Sequence, residues 1–295
     1  MLNLVKKVAK KSIKQKAKKS AKKTKTAANV VKSKTPINLS KPKISHKSSK
    51  KTTASKGYPK KTEMEVLRVA TGIAGFDDLI QGGIPENSFT LVSGGTGTGK
   101  SIFAINFLAH GAMQGEPGVY VSLEEGYKEN KMQMNLFNWE IDRLQKEGKL
   151  VILQPKIYNF EKLMESIQDA IDSVGAKRLV LDSISVLEMY FEDQFKTRRN
   201  ILDLARSLKE MGVTTIGISE TTDEIGGMSR NGVEEFLSDS VVILYLTRKG
   251  NSFSRAISIR KMRGTEHSLR IHPFEIKSPK GVVVYPFEEV FDDLK

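Results

Sequence analysis

The sequence predicts an α/β fold in which a mainly parallel central sheet is flanked by helices, ends in antiparallel hairpins and is preceded by a disordered basic tail. Three observations indicate this. Short apolar runs alternate with helical patterns over residues 88–219, which is typical of a parallel sheet. Further apolar runs then follow without intervening helices. The first 61 residues lack the apolar content that a folded domain needs.

The strands of the parallel part are apolar runs, and helical patterns lie between them. The predicted strands are Ser88–Ser93, Gly118–Leu123, Leu150–Leu153, Arg178–Leu181 and Thr214–Ser219. Phe160–Val174 and Arg198–Met211 are predicted helices, because each places apolar side chains three or four residues apart on one face.

The C-terminal part of the chain is predicted to form hairpins. Its apolar runs are Ser240–Thr247, Arg255–Lys261, Leu269–Ile276 and Val282–Tyr285. No helical pattern separates these runs, and strands joined by short connections pair in antiparallel fashion.

Charge divides the chain into two parts. Residues 1–61 contain 21 lysines, no arginine and no acidic residue, whereas the rest has 27 basic and 34 acidic residues. A tail of this composition cannot bury enough apolar surface to offset its ordering entropy. We therefore predict a Lys-rich disordered tail over residues 1–62 and one folded domain over residues 63–295, with a net charge of −7.

Three interpretations of the Lys-rich residues 1–61 stay open. The lysines can bind nucleic acid nonspecifically through phosphates, contact an anionic membrane, or serve as a solubilising extension. Charge favours nucleic acid, and membrane binding is the least expected of the three. The sequence has no signal peptide, no apolar run long enough to span a bilayer and no cysteine, so we expect a cytoplasmic protein.

The most informative motif is Gly94-Gly95-Thr96-Gly97-Thr98-Gly99-Lys100-Ser101, which fits G-x-x-x-x-G-K-[ST]. An apolar strand precedes this phosphate loop and a helical pattern follows it. Glycines let successive backbone N–H groups face phosphate oxygens, and the helix start favours anions. We predict that Lys100 reaches the β- and γ-phosphates of ATP and that the Ser101 hydroxyl binds Mg²⁺.

Two strand ends supply acids for a hydrolytic site. The strand that begins at Arg178 ends in Asp182, which is predicted to hold the Mg²⁺ shell. Another strand ends in Glu124 and Glu125, and strand ends in open α/β sheets face the ligand crevice. From the residues alone, two interpretations of these glutamates stay open. One of them polarises the attacking water, or both are first-turn acids stabilised by the dipole of the next helix.

The motifs and their order resemble the KaiC-like branch of the RecA superfamily of ATPases. The resemblance covers about residues 64–290 and does not include the tail. Its markers are Thr71–Leu79 with Gly82–Pro85, the phosphate loop, Leu123–Glu125, Leu181–Ser183, Gly232–Glu234, Ser238–Ser240, Arg260–Thr265 and His267–Ser268. The closing Arg270–Phe274 and Gly281–Pro286 are especially similar to single-domain archaeal members.

This resemblance implies a RecA-like phosphate-loop fold, ATP and Mg²⁺ as ligands, and a homo-oligomeric ring, usually a hexamer, with ATP between neighbouring subunits. It implies that Glu124 and Glu125 are the catalytic glutamates. It also implies that Lys261 and Arg263, hereafter the basic pair, reach the γ-phosphate held by the neighbouring subunit. From the residues alone, two solvated cations on an exposed strand would be the favoured interpretation.

One departure concerns phosphate transfer to the protein itself. The clock proteins of the family autophosphorylate on adjacent Ser and Thr residues, and Glu235 and Phe236 stand at the corresponding positions here. Neither side chain accepts phosphate, although Ser238 and Ser240 are nearby hydroxyls. Autokinase activity is therefore disfavoured, and we do not transfer a circadian role.

The expected function is that of a ring-forming ATPase that acts as a regulator or motor. Two alternatives stay open: a recombination or repair ATPase recruited to DNA by the basic tail, and a noncatalytic scaffold, gated by nucleotide, that presents its ring to an unknown protein partner. Turnover stimulated by DNA favours the first alternative, and ATP binding without turnover favours the second.

Overall fold

The computed structural model describes residues 66–124, 131–132, 134–156, 159–187, 194–221 and 237–288. The predicted tail lies outside these residues, as do Glu125, Glu235 and Phe236. Within the described ranges, no helix combines the length and the apolar character needed to cross a bilayer.

The described chain contains eleven strands in two sheets. A small antiparallel sheet comes first, formed by β1 (Arg68–Val69) and β2 (Ile84–Pro85). The parallel strands are β3 (Phe89–Gly94), β4 (Gly118–Ser122), β5 (Leu150–Leu153), β6 (Arg178–Asp182) and β7 (Thr214–Glu220). The C-terminal strands are β8 (Ser240–Lys249), β9 (Ser252–Met262), β10 (Ile271–Lys277) and β11 (Gly281–Val284).

Within the described ranges, four α-helices with defined bounds lie between the strands of the parallel part. They are α1 (Lys100–Met113), α2 (Ile141–Lys146), α3 (Phe160–Val174) and α4 (Gln194–Glu210). The termini of α3 are fixed by the sequence: the Asn159 side chain accepts a hydrogen bond from Lys162 N at 2.8 Å, and Gly175 ends the helix in the left-handed region at φ 60°.

The central sheet has nine strands in the order β11-β10-β9-β8-β3-β7-β6-β4-β5. Strand β8 pairs in parallel with β3 and antiparallel with β9, and β9, β10 and β11 continue as antiparallel neighbours. The predicted α/β class, its parallel sheet and its C-terminal hairpins are therefore confirmed. Strand β3 lies between β7 and β8, so its carboxyl end opens near the middle of the sheet.

Apolar residues alternate along β3 and serve both faces of the sheet. Val92 belongs to the core shared with Phe103 and Phe107 of α1. Leu91 belongs to the other core, which includes Leu204 of α4 and residues of α3. Because both faces are covered, the parallel strands are apolar along nearly their whole length.

Candidate nucleotide site

The phosphate loop joins the end of β3 to the start of α1. Gly97 and Gly99 have φ angles of 77° and 103°, a region that other residues rarely adopt. At Gly94 a Cβ atom would lie 2.4 Å from the carbonyl oxygen of Leu244. Glycines are therefore required for the loop to turn from the strand into the helix, where it presents the first backbone N–H groups of α1.

Polar contacts hold the loop in this shape. Lys100 Nζ donates to the carbonyl oxygen of Gly95 at 2.9 Å, and Thr98 Oγ1 donates to the same oxygen at 2.9 Å. Arg255 of β9 also reaches the loop, with Nη2 donating to Gly97 O at 3.2 Å. The lysine side chain therefore folds back over the loop.

Asp182 lies at the carboxyl end of β6, beside Ser122 of β4. Its Oδ2 accepts a hydrogen bond from the hydroxyl of buried Tyr120 at 2.5 Å. Burial raises the pKa of Asp182 above its usual range, while hydrogen bonds from Tyr120 and Ser101 and the charge of Lys100 oppose part of the rise. The ionised carboxylate is thus stabilised by neighbours in a site that would otherwise favour its protonated form.

Ser101 and Asp182 have the chemistry of a magnesium site. Both side chains line the same pocket, and Ser101 lies close enough to Asp182 to oppose the rise of its pKa, so a hydroxyl and a carboxylate are near each other at the base of the loop. Among the described residues, no group of three or more His, Asp or Glu side chains is arranged to hold a metal. That is compatible with Mg²⁺, which keeps several waters and usually binds through one or two carboxylates and substrate phosphates.

Two further carboxylates lie at strand ends beside this pair. Glu124 follows β4, and its Oε1 accepts a short hydrogen bond from the Ser183 hydroxyl. Glu220 is the last residue of β7, next to Gly94 in the sheet, and its negative charge contributes to the raised pKa of Asp182. Glu125 falls outside the described residues.

These groups surround one pocket with a volume of about 210 Å³. Its lining combines loop residues, strand-end acids and small polar residues. They are Thr96, Gly97, Lys100, Ser101, Ser122, Glu124, Asp182, Ser183, Ile218 and Glu220.

The basic pair lies on the opposite side of the same sheet from the phosphate loop, at the end where the parallel strands begin; this side is called the opposite edge below. Met262 of β9 pairs with Ser240 of β8, and Ser240 lies beside Thr90 near the start of β3. The phosphate loop follows the other end of β3, so a strand length, roughly 15–20 Å, separates the pair from it. Lys261 Nζ donates to Ser238 O at 2.6 Å, and Arg263 Nη1 lies 3.5 Å from Asp239 Oδ1.

Sequence reasoning did not assign Glu220, Tyr120, Ser183 or Arg255 to the site. Glu220 could have been found, because it ends an apolar strand just as Asp182 and Glu124 do. Tyr120, Ser183 and Arg255 carried no local signal. Their contacts join positions 59 to 158 residues apart in the chain, and only the sheet order brings them together.

Comparison with known proteins places this fold and loop in a family. A family model described as "ATPase: KaiC" matches residues 69–289. A circadian clock oscillator protein KaiC from Acaryochloris marina is 39% identical over 237 residues, which are 77% of this chain but only 45% of the relative. A UPF0273 protein from Thermotoga maritima is 38% identical over 240 residues, which are 76% of this chain and 98% of that protein.

A solved structure gives the same result in three dimensions. The KaiC-like protein of the archaeon Pyrococcus horikoshii is 44% identical, with a TM-score of 0.70, and the match covers 75% of this chain and 100% of that one. The chain spans less than half of the cyanobacterial KaiC and nearly all of the UPF0273 protein. The resemblance seen in the motifs is confirmed: the chain belongs to the KaiC family of RecA-type ATPases.

Proposed function

We propose that this chain is a Mg²⁺-dependent ATPase that hydrolyses ATP between neighbouring subunits of a homo-oligomeric ring, with a hexamer as the expected form. One observation carries the proposal. The phosphate loop and the basic pair lie at opposite edges of one sheet, so a subunit cannot apply its own pair to the ATP on its own loop.

A head-to-tail contact resolves this separation. If the loop edge of one subunit faces the basic-pair edge of the next, each contact assembles one complete site. Contacts of this heterologous kind produce closed rings when the rotation between subunits closes.

The loop residues would bind the triphosphate. Backbone N–H groups of the loop and Lys100 would hold the β- and γ-phosphates, and Ser101 and Asp182 would hold Mg²⁺. When bound, Mg²⁺ neutralises charge on the phosphate oxygens. Tyr120 keeps the Asp182 carboxylate oriented through the 2.5 Å hydrogen bond.

Glu124 or Glu125 would polarise the attacking water. The hydrogen bond from Ser183 fixes the Glu124 carboxylate at the rim of the pocket. The neighbour's basic pair would stabilise the charge that develops on the transferring phosphoryl group, a contribution of about 10³–10⁵ in rate for arginine fingers.

Nucleic-acid binding through residues 1–61, an unknown protein partner and a cytoplasmic location stay predictions. The charge of the tail supports the first, and the composition of the chain supports the last. The regulatory or mechanical output of the ring is a further prediction.

Mixing two inactive variants tests the shared site. Lys100→Ala removes the cation of the phosphate loop and leaves the basic pair intact, whereas Arg263→Ala does the reverse. Each variant alone should hydrolyse ATP slowly, and Arg263→Ala should still bind it. When the two are co-assembled one to one from dissociated subunits, about a quarter of the interfaces of a ring join an intact loop to an intact pair. Turnover should therefore recover to about a quarter of the wild-type value.

Arg260→Ala is the matched control, because Arg260 is an exposed arginine three positions from Arg263 whose Nη2 donates to the Tyr245 hydroxyl. It should retain turnover when assembled alone. Absence of recovery in the mixture, after subunit exchange has been verified, would refute the interfacial site and leave only a phosphate-loop ATPase. ATP binding without turnover in the wild-type chain would instead favour the scaffold alternative.

A further inference from the structure

The carboxylate of Asp239 lies beneath the basic pair and has several partners. Asp239 immediately precedes β8, and only 11% of its side chain is exposed. Its Oδ2 accepts the backbone N–H of Phe89 at 3.0 Å and lies 2.8 Å from Lys209 Nζ of α4. Its Oδ1 lies 3.0 Å from the same lysine nitrogen and 3.5 Å from Arg263 Nη1.

The backbone at the same place holds both members of the basic pair. Arg263 N donates to Asp239 O at 3.1 Å, and Lys261 Nζ donates to the neighbouring Ser238 O at 2.6 Å. Two consecutive residues therefore determine where the two cations lie. Because Arg263 follows the last residue of β9, these contacts, rather than the strand alone, align it with Lys261.

The contacts of Asp239 are graded in strength. Lys209 makes two hydrogen bonds of 2.8 and 3.0 Å, whereas Arg263 Nη1 lies 3.5 Å from the carboxylate and its side chain is 63% exposed. A buried carboxylate without a close partner is strongly disfavoured, and Lys209 supplies that partner. With its charge largely balanced, Asp239 can orient the guanidinium without drawing it into the protein.

We propose that Asp239 is a positioning residue of the shared site, which aims Arg263 at the neighbouring subunit while Lys209 balances its charge. The inference rests on the proposed function, because it assigns a task to Asp239 only if the basic pair acts across an interface. A preoriented side chain reaches the transition state without the ordering cost of a free one.

Asp239→Asn tests this, since the amide keeps an oxygen for Phe89 N but loses the charge that orients Arg263. Turnover of the variant alone should fall about 10- to 100-fold, the range expected when a catalytic group is misplaced by about 1 Å. Binding of a fluorescent ATP analogue should be unchanged, because that variant keeps its own phosphate loop.

Mixing experiments separate this role from a purely structural one. If Asp239 acts through the basic pair, co-assembly with Lys100→Ala should restore turnover to about a quarter of wild type, and co-assembly with Arg263→Ala should not. If Asp239 instead supports β3 and its own loop through Phe89, co-assembly with Arg263→Ala should restore turnover and co-assembly with Lys100→Ala should not. That result would overturn the proposal.

A second variant applies if Asp239→Asn does not fold. Lys209→Met leaves Arg263 as the cation nearest to Asp239, so Arg263 should be drawn inward and turnover should fall. Co-assembly with Lys100→Ala should restore turnover, and co-assembly with Arg263→Ala should not. Wild-type turnover of Lys209→Met would overturn the proposal. Recovery of turnover in the Lys100→Ala and Arg263→Ala mixture serves as the reference. If this mixture does not recover, the proposed interfacial site is refuted. If it recovers but the Asp239→Asn mixtures do not behave as predicted, only the role proposed for Asp239 is refuted.

Discussion

Tyr120→Phe tests the proposed magnesium site by removing one hydroxyl. That hydroxyl donates to Asp182 Oδ2 at 2.5 Å from a completely buried ring. The phenylalanine ring fits the same space, so no cavity is created beyond the missing oxygen. A hydrogen bond to a charged acceptor contributes about 1.5–3 kcal/mol, and this one favours the ionised form of Asp182.

The direction of the effect follows from the pKa of Asp182. Burial raises this pKa, and the hydrogen bond from Tyr120 opposes the rise, so the substitution should raise the pKa further. Because the pKa of Asp182 is higher in the folded than in the unfolded chain, protonation of Asp182 stabilises the metal-free fold. This stabilisation is fully present below the pKa of Asp182 in the unfolded chain, and it is lost as the pH rises through the pKa in the folded chain. Turnover should have the opposite dependence, because Mg²⁺ bound by Asp182 as proposed would require the ionised carboxylate.

The assay is the pH dependence of ATP turnover at a fixed, subsaturating Mg²⁺ concentration. The acid limb of Tyr120→Phe should move to higher pH, and turnover below that limb should be about 10- to 100-fold lower than wild type, from the 1.4 kcal/mol that corresponds to each factor of ten. Tyr245→Phe is the matched control, because its hydroxyl bonds Ser258 on β9. An unshifted acid limb in Tyr120→Phe would refute the assignment of Asp182 as the magnesium carboxylate.

Two further predictions concern the catalytic base and the tail. Glu124→Gln keeps an oxygen that can accept from Ser183, so ATP should stay bound while turnover falls about 100-fold or more if Glu124 is the base; equal wild-type turnover in Glu124→Gln and Glu125→Gln would exclude both glutamates. Deleting residues 1–61 removes 21 positive charges and no acid, so if the tail binds nucleic acid, duplex DNA binding should be lost while turnover remains. In that case log affinity of the intact chain should fall with log salt by about 0.9 per neutralised phosphate, and equal DNA affinity with and without the tail would exclude the nucleic-acid interpretation of the tail.

A strand or helix could be predicted where its own segment contains an apolar run or a helical period. Apolar runs located β3 to β11, and the 3.6-residue period located α3 with the bounds that the structure has. Helix α4 begins at Gln194, one turn before the predicted start at Arg198. Strands β1 and β2 have two residues each and α2 has six, too few for a period to emerge.

The residues of the site also differ in whether a local sequence pattern identifies them. The phosphate loop and Asp182 are recognisable because motif and strand lie together in the sequence. The partners that orient them are not, because Tyr120 meets Asp182 only through the pairing of β4 with β6. Asp239 meets Phe89 across 150 residues. Long-range pairing is set by the sheet order, and no local pattern encodes which polar side chains it brings together.

Under the proposed shared site, sheet order also determines how activity should depend on assembly. Because the loop and the basic pair lie at opposite edges, an open chain of subunits always has one loop without a neighbouring pair. An open dimer then has one complete site for two subunits, whereas a closed ring has as many sites as subunits. Activity per subunit therefore rises with chain length and reaches its full value only on closure. A subunit that carried both halves at one end of the sheet would show no such dependence, so under the proposed shared site hydrolysis per subunit would measure ring closure.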